Sequence, residues 1–243
     1  MQEVDRTPIT FPELLERPGV LEVLDLRGKL GFMAFHGGNL ERLTEQIASE
    51  AAARSGSSFY AVIQPAGMRH HLPSTKVDPA GSARLKAFLD HCDHVIAVHG
   101  YGLRGHFASL LCGGQNRELA GHVAAKIRDA VPAYQVIDDL EAIPRSLRGM
   151  HPRNPCNLTA KGGMQLELPP RIRGLTPLVW YWPSHDYENR RFPHVNLLVD
   201  GLVEAALTWE NASNGVVPTN GSTPSPNGTG VSPMAEPTAV SRV

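Results

Sequence analysis

Apolar and polar positions along this chain switch repeatedly between a period of two and a period near 3.6. That order predicts strands alternating with helices. Short apolar runs at residues 20–26, 30–36, 57–63, 93–99, 109–112, 134–138 and 164–168 read as strands. Between them lie a short helical pattern at 12–17, a longer one opening at Glu41, and amphipathic ones at 80–92, 116–131 and 194–209. Leu85, Phe88 and Leu89 share one face of the third, and Asn116 and Pro132 start and stop the fourth. The last repeats apolar residues at Val195, Leu198, Leu202, Ala205 and Ala206. An α/β core is expected.

Two of the strands end alike. The run 30–36 closes on His36-Gly-Gly, and the run 93–99 closes on His99-Gly. Ligand sites in α/β sheets gather at the carboxyl edge of the strands. Two strands of one sheet can therefore bring both imidazoles to one edge, and Glu41 follows His36 closely enough to join them. Two His and one Glu make a ligand set of catalytic zinc sites that keep one position open. The plainer alternative has His36 ending its strand and Glu41 favouring a helix N-terminus.

A third candidate is Glu167. In Met164-Gln-Leu-Glu-Leu168 alternation sends Gln165 and Glu167 to one face and the three apolar residues to the other. Glu167 is either a general base aimed into the site or the wet face of an edge strand. Of His70 and His71, neighbours on an irregular stretch, at most one faces a site. His185 and Asp186 fall in a polar run that reads as solvated loop, and residues 145–163 form a basic, Gly/Pro/Asn-rich loop.

Totals narrow the field. Across 243 residues, 23 basic side chains nearly balance 24 acidic ones. Nothing here suggests a nucleic-acid or membrane-surface partner. No apolar run approaches the roughly 20 residues of a membrane span. Three cysteines without close spacing fit a reduced, cytoplasmic setting. From Asn211 onward the chain turns to Asn, Ser, Gly, Thr and Pro, a composition that cannot order itself. One domain over 1–210 with a disordered tail over 211–243 is expected, as a monomer.

Five motifs occur in one order: His36-Gly-Gly-Asn-Leu-Glu41, His71-Leu-Pro-Ser-Thr75, His99-Gly-Tyr101, Gly113-Gly-Gln-Asn116 and Gly163-Met-Gln-Leu-Glu167. Over roughly residues 28–205 they resemble the phage-derived poly-γ-glutamate hydrolases. The resemblance implies a zinc carboxypeptidase-like fold, an open mixed β-sheet flanked by helices. It implies Zn²⁺ held by His36, Glu41 and His99, with Glu167 as the catalytic carboxylate. It puts His71 and Asn116 along the cleft and makes a glutamate-rich polymer or peptide the substrate. The chain departs from the family in one loop. Leu158 follows Asn157 where relatives commonly carry Arg, which would clamp a substrate carboxylate. Arg153 or Lys161 then takes that role beside Asn157.

The expected chemistry is zinc-assisted amide hydrolysis with Glu167 moving the proton. The oxyanion partner is open among Arg104, Arg117, Arg145, Arg148 and Arg153. Two rivals stand beside it. One is an amidase whose nucleophile is Cys156, in its basic loop near His151. The other is a metal-containing binding module of the same fold without turnover.

Overall fold

All seven apolar runs pair into one sheet in the computed structural model, which describes residues 4–103, 105–175 and 193–213. The strands are β1 (Leu21–Asp25), β2 (Leu30–Gly38), β3 (Ser58–Gln64), β4 (His94–Gly100), β5 (Ser109–Gly113), β6 (Gln135–Ile137) and β7 (Met164–Leu168). Their spatial order is β1-β3-β2-β4-β7-β5-β6. β1 runs antiparallel to β3 and β7 antiparallel to β5, and the other neighbours are parallel. The sheet is the open, mixed one expected.

Its two faces are packed by different helices. On one, Phe32, Ala34, Ile96, Val98 and Leu166 meet apolar side chains of α2 (Thr44–Ser55), α4 (Arg117–Ala130) and α5 (Pro193–Ser213). On the other, Met33, Phe35, Tyr60 and Ala97 meet α1 (Phe11–Leu15) and α3 (Ala83–His91). With both faces covered, β2 is buried along its whole length, as a central parallel strand should be. Two of the helix starts carry asparagine or serine caps: Ser82 accepts from the Leu85 amide at 3.0 Å, and Asn116 from the Leu119 amide at 2.9 Å.

α5 continues to Ser213, three residues beyond the sequence boundary at 210. The rest of the expected tail, 214–243, lies outside the described residues, as do His185, Asp186 and Arg104.

The turn after β2 is the tightest place in the fold. Gly38 has φ +70, and a Cβ there would press into the Gln64 backbone of the neighbouring strand. Both the left-handed backbone and the close approach require glycine. Gly38→Ala should therefore destabilise the protein by about 2 kcal/mol or more, read as a lower denaturant midpoint at unchanged slope.

Candidate metal centre

β2 and β4 are adjacent and parallel, with Met33 level with Ala97. Carried two residues further, that register sets Phe35 level with His99. An unbroken pleat would then turn His36 to the opposite face. β2 avoids this by a register shift against β3 between Ala34 and Gly37, one extra residue on the β2 side. Such a bulge re-aims a side chain. The His36 and His99 rings end 5.1 Å apart, centroid to centroid, with Phe35 edge-on to both at 4.7 Å.

Glu41 does not open a helix, as the sequence reading had it. It sits in a turn, and α2 begins three residues later at Thr44. Leu43, in the left-handed region at φ 73, breaks the helical path ahead of α2. Thr44 fixes the turn, its hydroxyl donating to the Glu41 carbonyl at 2.7 Å. The Glu41 amide donates to the His36 carbonyl at 3.0 Å, which folds the carboxylate back over the strand end. Glu41 Oε1 lies 2.9 Å from His36 Nδ1, and Oε2 lies 3.2 Å from His99 Nδ1 and accepts from the Gly100 amide at 2.8 Å.

One ligand atom from each of His36, Glu41 and His99 lies within 4.8 Å of the other two. The local chemistry suits a metal. His36 Nε2 donates to the Leu72 carbonyl at 2.8 Å, so Nδ1, which meets Glu41, is the nitrogen that would offer a lone pair to a metal. A ligating imidazole is ordinarily oriented this way, by a carbonyl on its far nitrogen. Burial opposes a charge on His36, but the Glu41 carboxylate and its hydrogen bond raise its pKa above the usual value. Burial works against the Glu41 charge too, and the two imidazoles overcome it, holding that carboxyl far below the usual range.

Glu167 reaches the same edge through the sheet. It is the register partner of His99 on β7, so both side chains stand on one face. Only 4% of it is exposed, and its Oε2 has no hydrogen-bond partner among the described residues. The other oxygen accepts from Gln165 Nε2 at 2.8 Å, and Gln165 is held in turn by the buried Asn154 at 2.7 Å. Burial pushes the Glu167 carboxyl up to about 7, with the His99 charge opposing and Glu41 adding to the rise. That value suits a group that takes and returns a proton near neutrality.

Arg173, which no motif in the sequence marks, joins the same cleft. It follows β7 in a turn, is 4% exposed, and donates to the carbonyls of Arg42 at 2.7 Å and Leu168 at 3.2 Å. A Cβ on Gly100 would lie 2.7 Å from its Cζ, so the glycine after His99 makes room for the guanidinium. Burial lowers the Arg173 pKa to about 10, against the pull of Glu41, Glu167 and Glu45. The available signal was its position, six residues past the candidate base. By contrast, Arg117 and Arg148 do not line the cleft: Arg117 donates to the carbonyls of Cys112, Gly114 and Asp138, and Arg148 to Glu141 and the Ile143 carbonyl. Arg145 and Arg153 are exposed and do not line the cleft.

His36, Glu41, His99, Glu167, Arg173 and His71 all line one cleft of about 950 Å³. His71 faces it, with its ring 5.1 Å from that of His36, while His70 turns away to Asp5 at 3.0 Å. Burial, helped by charge on His36 and Arg6, lowers the His71 pKa to about 4.

The other expected substrate residues are not brought to the cleft. Asn116 caps α4 and bridges to the Lys161 carbonyl, and Lys161 pairs with Asp93 at the amino end of β4. Asn157 donates to the carbonyls of Gly149 and His151, and the neighbouring Leu158 is exposed. Cys156 is fully buried in the core, and burial raises its thiol far above the usual range. That is unlike a reactive thiol, which is partly exposed and electropositive.

A mixed sheet flanked by helices, with imidazoles and carboxylates converging in a polar cleft at the carboxyl edge of its central strands, makes this an α/β protein with a candidate metal centre. The family model for poly-gamma-glutamate hydrolase matches residues 19–176, and the chain belongs to that family. Among solved structures, a bacteriophage poly-gamma-glutamate hydrolase is similar at TM-score 0.69 and 20% identity, covering 82% of this chain and 95% of that one. A zinc-free apo form of YndL is similar at TM-score 0.66 and 21% identity, covering 81% and 93%. No curated protein matches. None of the helices among the described residues is long and apolar enough to cross a membrane.

Proposed function

We propose that this protein is a zinc-dependent amidase that cleaves γ-linked, glutamate-rich polymers. The observation that carries the reading is the convergence of His36, Glu41 and His99 beside Glu167, a second buried carboxylate with an unpartnered oxygen. Zinc, when bound by the two imidazoles and Glu41, supplies Lewis acidity to the carbonyl and to the attacking water. Glu167 takes the proton of that water and returns it to the leaving nitrogen. Its chain of contacts through Gln165 to Asn154 holds the carboxylate in place. Arg173, a fixed cation beside Glu41 and Glu167, stabilises negative charge that develops on the carbonyl oxygen.

Membership in a family of poly-gamma-glutamate hydrolases supports the substrate. The substitution at Leu158 argues little against it, because Leu158 and Asn157 do not line the cleft. The reading is tested on purified protein with γ- and α-linked glutamyl polymers. Cleavage of the γ-linked chains with zinc present is expected, and cleavage of neither polymer refutes it. A chelator should abolish turnover and added zinc restore it, while a thiol alkylator leaves the native enzyme unaffected. Loss of activity on alkylation, with zinc retained, would return Cys156 to consideration.

A further inference from the structure

The rim of the cleft carries a cation that comes from outside the region the family model matches. That match begins at residue 19, and α1 and the segment before it precede this point. They are nonetheless docked. Phe11 and Leu14 of α1 are buried in the same core cluster as Leu72 and Val77, on the stretch that carries His71. Residue 5 forms a parallel bridge with His70. The Asp5 amide donates to the Arg69 carbonyl at 2.8 Å, and the Asp5 carbonyl accepts from the His71 amide at 2.8 Å. Its carboxylate meets His70 Nδ1 at 3.0 Å. Bonds from Thr7, joined by His70, hold that carboxyl far below the usual range, so the tether stays charged.

This docking puts Arg6 on the cleft lining with Arg42 and Arg69. The charge of Arg6 bears on His71, and that of Arg42 bears on Arg69. Arg6 is exposed, and no carboxylate among the described residues pairs with it. An exposed guanidinium held on the lining of a cleft by a docked segment offers a carboxylate its planar fork of donors. A chain with one carboxylate per residue presents such anions at regular intervals.

We propose that Arg6, on its docked N-terminal segment, supplies a carboxylate-binding group to the rim of the cleft and makes the cleft selective for polyanionic chains. The proposal rests on the amidase reading above and adds a specificity determinant to it. A neighbouring carboxylate of the substrate seats on the rim while the scissile amide lies at His36, Glu41 and His99. Because the rim contacts groups remote from the reacting bond, it acts on binding more than on the chemical step.

The test uses the full chain, zinc-loaded, with Arg6→Gln and the charge reversal Arg6→Glu. The probe is a fluorescently labelled γ-linked tetraglutamate, with its side-carboxyl-amidated analogue as control. Arg6→Gln should weaken binding of the acidic probe roughly three- to tenfold and Arg6→Glu further, with a shallower dependence on salt. KM should rise more than kcat falls, and the amidated probe should lose the discrimination between wild type and variants. Identical binding by wild type and both variants would overturn the rim and leave the amidase reading standing. An acidic probe bound more weakly by the variants, yet cleaved by no protein, would keep the rim and overturn the amidase reading. Failure of the wild type to bind either probe would overturn both.

Discussion

Glu167→Gln is expected to retain zinc and lose hydrolysis by roughly 10² to 10⁴, the usual loss of a general base. The substitution keeps the size and most of the hydrogen bonding of the side chain. The amide, however, cannot accept the proton of the attacking water. The proposed metal ligands are untouched: His36 and His99 each meet Glu41, while Glu167 is held from the other side by Gln165. Substrate affinity should change far less than turnover, because the lost interaction acts in the transition state. Glu41→Gln should behave in the opposite way, weakening metal binding first. Metal content and turnover, measured on the same two preparations, decide the assignment. Zinc lost from Glu167→Gln but kept by Glu41→Gln would reverse the two carboxylates.

His36→Ala should empty the metal centre and abolish turnover with it. His36 is buried, and its orientation is set by the Leu72 carbonyl, so no other imidazole can swing into its place. His71, 5.1 Å away ring to ring, is the nearest candidate, but it is tied to the stretch bonded to Asp5. Removing one of three protein ligands should cost metal affinity well beyond the 10- to 100-fold typical of losing an outer-sphere partner. The variant also leaves Glu41 facing one imidazole instead of two, so some loss of stability accompanies it. Zinc should therefore be measured on protein whose circular dichroism shows it folded. A folded His36→Ala that still carries one zinc per chain would sink the three-residue centre.

Much of this molecule was legible in one dimension, for local reasons. Apolar runs bounded by Gly, Pro and Asn marked every strand, because period and turn chemistry act over a few residues. The repeated His-Gly ending pointed to one sheet edge, and alternation within 164–168 put Glu167 on the polar side of its strand. Asn116 and Ser82 carry cap signals that the helices use. The same locality limited the reading. Glu41 looked like the first turn of a helix because its neighbours have helical propensity, and nothing local announced the positive φ of Leu43. Asn116, Asn157 and Lys161 drew attention by residue type, yet they lie together away from the cleft, tied by hydrogen bonds and an ion pair to the chain around them.

Local patterning along the chain is enough to set the alternation of strands and helices, the sheet edge where the two His-Gly endings meet, and the residue types gathered there. Each follows from side-chain period, backbone freedom and ligand preference, which adjacent residues settle among themselves. Which groups meet depends on how distant segments pack. The bulge in β2 that re-aims His36 is visible only against β3, and the pairing of His99 with Glu167 only across β4 and β7. Arg173 matters because Gly100, 73 positions earlier, leaves room for it, and Arg6 because Asp5 is bonded to the stretch around His70. Such contacts span separations that local propensity does not encode, and close packing of the folded chain selects them.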